Sequence, residues 1–183
     1  MPLPPAVDRV PLHRRAIDCR GFRRADGLFD IEARIVDTKA YTVANRWRGP
    51  LLPGDPIHDM TLRVTLDGDL VVREVHAVTD GAPFPVCPTI TAAFGSLVGL
   101  RIGPGFTRAV RQRLGGMHGC THLVELLGPL ATTAIQTIRP LQRRPADAPP
   151  PTRPPGHLDA CHALRRDGPV VREHYPEWYT GPT

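Results

Sequence analysis

Two stretches of strict apolar and polar alternation constrain this chain more than any other feature. From Leu28 to Asp37, the residues Phe29, Ile31, Ala33 and Ile35 alternate with Asp30, Glu32 and Arg34; Met60, Leu62, Val64 and Leu66 alternate with their neighbours in the same way. Successive side chains of a strand point to opposite faces, so a period of two predicts strands with one buried and one solvated face. Asp67-Gly68-Asp69 then predicts a turn, with a return strand from Leu70 to Val78. Asp26-Gly27 marks another turn, after an extended and strongly basic segment over 12–24. Beyond the hairpin the apolar spacing becomes helical, over about 88–100, 104–114 and 120–138. Pro129 falls inside the last of these and should kink it or split it after Gly128. Strands followed by helices predict an α+β fold, a small antiparallel sheet packed against helices.

With 183 residues, 41% of them hydrophobic, the chain can bury one substantial core, expected over residues 1–142. Residues 143–156 contain Pro149-Pro-Pro-Thr-Arg-Pro-Pro155 and read as a proline-rich connector. The tail over 157–183 carries Tyr175-Pro-Glu-Trp-Tyr179, an aromatic patch expected to dock it onto the domain. No run of about 18 apolar residues occurs and the start lacks a signal-like apolar core, so a cytoplasmic protein without membrane contact is expected. The formal charge is +5, and Lys39 is the only lysine among 23 basic residues. Aromatics amount to 5%, without stacking platforms or a concentrated basic stripe, which argues against nucleic acid as the partner. Arg14, Arg15, Arg20, Arg23 and Arg24 read either as a solvated strand face or as a surface for an anionic partner.

Cys19, Cys87, Cys120 and Cys161 are far apart and form no Cys-x-x-Cys pair. In a cytoplasmic protein such cysteines point to metal binding or thiol chemistry rather than a disulfide framework. Cys87 precedes Pro88 and Cys120 precedes an apolar-periodic run, so both read as thiols at helix starts, where unpaired N–H groups favour the thiolate. His58 and Asp59 stand at the entrance to the hairpin and Cys87 follows its second strand, which places them near one edge of the sheet. With Cys120 they form a tetrahedral donor set suited to Zn2+ or Fe2+, in which Asp59 is the expected labile ligand. Each has a plainer alternative. A cysteine also serves as a small buried hydrophobe, and His58 or Asp59 can close a turn. Gly119 argues against one helix through His118 and His122, and His122 reads as lying off the ligand face. Cys161 and His162 are adjacent and read as packing residues.

The order of these residues resembles the iron-sulfur cluster scaffold proteins of the IscU/NifU/SufU type. His58 with Asp59 matches that family's first ligand and aspartate, Cys87 its second ligand, and Cys120 its third, while Cys120-Thr-His-Leu-Val-Glu125 resembles its leucine and glutamate spacing. The resemblance covers residues 58–138 and implies a SufE/NifU-like fold. His58 stands where that family has cysteine, which favours a single metal ion over an assembled cluster. Over nearly its full length the chain resembles an uncharacterised bacterial family, domain of unknown function family 2889. That likeness rests on His13-Arg-Arg, Asp30-Ile-Glu, Pro56-Ile-His-Asp-Met60, Gly99-Leu-Arg-Ile-Gly-Pro-Gly-Phe106 and Gly119-Cys-Thr-His-Leu123; it implies no activity. The expected role is a metal-binding accessory or carrier protein with an unknown protein partner or small-molecule ligand. The alternative is a metal- or cysteine-dependent enzyme, which three protein ligands and an open position would permit.

Overall fold

A computed structural model describes residues 3–142 and 152–182. The chain divides into two compact units, Met1–Arg143 and Arg144–Thr183. In the first, strands β1 (His13–Arg23), β2 (Phe29–Lys39), β3 (Pro56–Leu66) and β4 (Val72–Gly81) form one antiparallel sheet in the order β1-β2-β3-β4. The expected α+β class holds. Helices α1 (Phe106–Leu114) and α2 (Thr121–Ile138) follow a 3₁₀ stretch at Cys87–Leu97.

The alternation dictates which face is covered. Phe29, Ile31, Ala33 and Ile35 of β2 are buried, as are Met60, Leu62, Val64 and Leu66 of β3. On α2 the buried positions Leu123, Leu126, Leu127, Leu130, Ala134 and Ile138 follow helical spacing and form a stripe that joins the same core. Each large side chain removed from water contributes about 1.5–3 kcal/mol, and this shared burial drives the helix onto the sheet. Phe94 and Leu97 of the 3₁₀ stretch and Phe106, Val110 and Leu114 of α1 complete the core.

Turn chemistry fixes the hairpins. Gly27 adopts φ 87° between β1 and β2, where the Asp26 carboxylate accepts the Leu28 N–H. Between β3 and β4, Asp67 Oδ1 accepts the N–H groups of Asp69 and Val71, each at 2.9 Å. Of the two outcomes expected at Pro129, a kink or a split, the split does not occur: α2 runs unbroken from Thr121 to Ile138. Leu126 and Leu127 before the proline and Leu130 after it are all buried in one core, and this packing outweighs the lost backbone bond. Cys120 is the N-cap of α2 and Cys87 the first residue of the 3₁₀ stretch, so both stand at helix starts.

In the second unit, 3₁₀ turns at His162–Leu164 and Pro176–Trp178 flank the short helix α3 (Pro169–His174). Asp159 accepts the Arg166 N–H at 2.8 Å, Arg166 Nε donates to the Trp178 carbonyl at 3.3 Å, and His157 meets the Tyr175 hydroxyl at 3.1 Å. Of the expected connector over 143–156, residues 143–151 lie outside the described residues.

The approach of α2 to β1 generates a test. A Cβ built on Gly21 would collide with the Thr137 side chain, so the helix lies against bare backbone there. Gly21→Val should destabilise the protein by about 1–3 kcal/mol, the usual cost of overpacking. Chemical denaturation of Gly21→Val, Thr137→Ala and the double variant checks it: the second change should recover much of the loss, and strict additivity would refute the contact.

Candidate functional site

Strand register assembles a polar row where the apolar face of the sheet ends. Arg15 on β1 lies opposite Asp37 on β2, and Asp37 lies opposite His58 on β3. Opposed residues share a face, and two positions along that face Ile35 pairs with Met60 in the core. Asp37 therefore enters the interior and is only 2% exposed. An ionised carboxylate there requires close neutralising partners.

The partners converge from three elements. The Arg15 guanidinium grips Asp37 with both arms, Nε to Oδ1 and Nη2 to Oδ2, each at 2.8 Å. This planar fork matches the carboxylate geometry in a way lysine does not. His58 Nδ1 stands 3.0 Å from Oδ2, and His13 Nε2 3.3 Å from Oδ1. From the first turn of α2, His122 places Nε2 3.8 Å from Oδ2 and stacks its ring on His58, with centroids 3.7 Å apart and planes at 29°. One turn further along, Glu125 takes the remaining arm of Arg15. The two carboxylates thus share one guanidinium across the seam between sheet and helix.

Burial pushes the Asp37 carboxyl up, but the hydrogen bonds and charge of Arg15, helped by His58, outweigh it and hold the group below the ordinary carboxylate range. Asp37 correspondingly raises the Arg15 pKa. For both stacked histidines burial is the leading influence and lowers the pKa. The neighbouring His122 adds to this at His58, and the Arg15 charge adds to it at His122. Two neutral imidazoles facing a carboxylate are the protonation states that metal ions require of their ligands. Asp37, His58 and His122 each offer a ligating atom, all within 4.8 Å of one another, the only such group among the described His, Cys, Asp and Glu residues.

Of the four residues read from sequence as a ligand set, only His58 belongs to this group. Asp59 is its neighbour on β3 and points to the other face, where Arg34 holds it bidentately at 2.7 and 2.6 Å. Cys120 directs its thiol to the sulfur of Met60, 3.9 Å away. Cys87 stands at the 3₁₀ start, partly buried. The four are therefore not gathered. His122, read as lying off the ligand face, stacks instead on His58. Asp37 was missed, although the sequence carried a signal for it: the buried register Phe29, Ile31, Ala33, Ile35 continues to Asp37, an acid where the pattern places a core residue.

A family model described as "Protein of unknown function (DUF2889)" matches residues 13–136, from the start of β1 nearly to the end of α2 and including the whole polar row. The chain belongs to the DUF2889 family. No curated protein and no solved structure matches it, so the comparisons return no relative of the iron-sulfur scaffold type.

The lowered histidine pKa values predict a pH dependence. A histidine with a depressed folded pKa binds fewer protons when folded than when unfolded, so stability falls as pH drops through the ordinary value of about 6.5. Urea unfolding in the presence of EDTA should therefore show declining stability from pH 7 to 5. His58→Gln and His122→Gln should each flatten that decline, and a wild-type stability unchanged over this range would contradict the proposed titration. Asp37 acts lower, its contribution being present above about pH 4 and lost as pH falls further.

Proposed function

We propose that this member of the DUF2889 family binds one divalent transition-metal ion, Zn2+ or Fe2+, through Asp37, His58 and His122, and serves as a metal-binding accessory or carrier protein. The reading rests on one observation: two imidazoles and a carboxylate present their donor atoms within 4.8 Å of one another at the buried seam of sheet and helix. An ion with bonds of about 2.0–2.2 Å holds neighbouring ligand atoms roughly 3.0–3.6 Å apart, depending on its geometry. The distances to Asp37 Oδ2 are 3.0 Å from His58 and 3.8 Å from His122, so small side-chain rotations would suffice. Nitrogen and oxygen donors suit zinc or ferrous iron. Arg15 would keep Glu125 as its partner if an ion drew Asp37 away, which avoids leaving a bare guanidinium.

The donor count favours a second reading. Three protein ligands leave a coordination position for water or substrate, and a metal-dependent enzyme acting on a small molecule would use that position. The carrier reading requires a fourth donor, from a partner or from the transferred group.

Elemental analysis separates the expected outcomes. Protein purified anaerobically, or dialysed against Zn2+ and then against buffer, should retain about one ion per chain. His58→Ala and His122→Ala should each weaken retention at least tenfold, in keeping with the loss of one ligand of three. Cys87→Ser and Cys120→Ser should retain the ion. Wild-type protein that stays folded and takes up no metal would overturn the proposal, and loss of metal in the cysteine variants alone would move the site to the thiols.

A further inference from the structure

Away from this row, the two edges of the sheet differ. At β4 the chain covers its own edge: Val72 donates to the Leu100 carbonyl at 2.8 Å and accepts the Gly99 N–H at 2.9 Å, and Val71 bridges Arg101. At the other edge, β1 has β2 as its only strand neighbour among the described residues. It runs for 11 residues in unbroken register, whereas the β2–β3 and β3–β4 ladders are both interrupted.

Register fixes which backbone groups of β1 are free. In an antiparallel pair, opposed residues alternate between those that exchange hydrogen bonds and those whose N–H and C=O point away. The ladder continues past both ends of β1, where Ala40 donates to the Leu12 carbonyl and Arg24 to the Leu28 carbonyl. Leu12 and Arg24 are both even-numbered, and the register between them is unbroken, so the even-numbered residues bond β2 along the whole strand. The N–H and C=O groups of Arg15, Ile17, Cys19, Gly21 and Arg23 therefore point outward, without a backbone partner among the described residues. Gly21 illustrates the result: Thr137 lies against one face of it, yet the residue is exposed, because its edge is open. An unpaired edge of this length is a template for another strand.

Charge selects the strand that would add. Arg14 and Arg20 lie on the solvated face of the sheet and Arg23 on the other; among the described residues only Arg20 of the three has a carboxylate neighbour, Asp18 at 2.7 Å. Ile17 and Phe22 add apolar surface, 39% and 45% exposed. Carboxylates opposite the arginines, with apolar residues between them, answer this pattern. Like charges directly opposite one another destabilise a strand pair. A second copy of β1 is disfavoured for that reason: if Asp18 faces Arg20 across a two-fold axis, Arg15 faces Arg23 and Arg14 faces Arg24. The chain's own run over 143–155 is unsuited on two grounds. It carries Arg143, Arg144 and Arg153 against Asp147, and its prolines have no N–H to give a ladder. Single-stranded nucleic acid could meet the arginines but has no alternating N–H and C=O groups to pair with the outward ones.

We propose that β1 is the docking edge for an acidic, extended segment of a partner protein, which adds to the sheet as an antiparallel strand with carboxylates opposite Arg14, Arg20 and Arg23. The three arginines are separate from the metal ligands proposed above, so either proposal can fail without the other.

The probe is a fluorescently labelled peptide, Glu-Val-Val-Glu-Val-Thr-Val-Thr-Thr-Glu, titrated with the full chain and followed by anisotropy. Its first, fourth and last residues are placed to face Arg23, Arg20 and Arg14. Saturable binding is expected, weakened at least tenfold when lysine replaces the glutamates. N-methylation of the third, fifth and seventh residues, whose N–H groups would meet β1, should abolish binding. N-methylation of the fourth, sixth and eighth should leave it within severalfold. Both methylated peptides are read on unaltered protein, so the comparison does not depend on the folding of a variant. Ile17→Pro removes one outward N–H while leaving the ladder to β2, and should weaken binding at least tenfold, as should Arg14→Glu combined with Arg20→Glu. Absence of saturation at millimolar concentrations would overturn the proposal. Equal binding of the two methylated peptides, or of a single-stranded oligonucleotide, would overturn it by marking a merely basic surface. A dimer that Ile17→Pro dissolves would overturn it by giving the edge to a second copy.

Discussion

A sheet with one apolar face cannot leave that face in water, and in this chain the covering layer comes from the second half of the sequence. Ile31, Ala33, Ile35, Met60, Leu62 and Val64 form a continuous apolar surface, and the stripe on α2 joins the same core. Gly21 on β1 permits close approach at the C-terminal end of α2, where Thr137 would meet any larger residue. Once that packing is fixed, the first turn of α2 falls over the end of the apolar face. His122 and Glu125 are thereby delivered to the row formed by Arg15, Asp37 and His58. The polar site is in this sense a consequence of how the helix covers the sheet.

The row also explains how a carboxylate can be placed at the edge of a core. A lone buried charge would cost several kcal/mol, and a single ion pair often fails to offset its own desolvation. Asp37 has Arg15 on both oxygens and His58 within hydrogen-bond distance, with His13 and His122 at 3.3 and 3.8 Å, so polar groups from β1, β3 and α2 surround it. Removing any one partner leaves others in place.

The other face of the sheet follows a different logic. Asp59 pairs with Arg34, and Glu32 with Arg63, as cross-strand partners in a solvated layer. Such exposed pairs contribute little individually, and their role is to keep the outer face wet and the register unambiguous. The adjacency of His58 and Asp59 in sequence therefore separates them in space, because a strand sends neighbours to opposite sides.

The strands, the second hairpin, the helical second half and the two cysteines at helix starts were legible because each depends on local periodicity or turn chemistry. The Asp26-Gly27 turn even centres the pairing of Arg15 with Asp37. The pairing of Asp37 with His58 was not legible. It spans the long loop from Ala40 to Asp55 and a bulge at Asp37/Thr38, and neither length nor composition of that loop sets a register. The continuity of α2 through Pro129 and the stacking of His122 on His58 likewise depend on packing between distant elements. By itself, the sequence determined which face of each strand is buried and therefore that Asp37 and His58 point inward, because side-chain direction in a strand is a local property. Only the tertiary structure decided that they meet, and that α2 brings His122 and Glu125 to them, because register and helix placement are settled by burying the whole apolar surface at once.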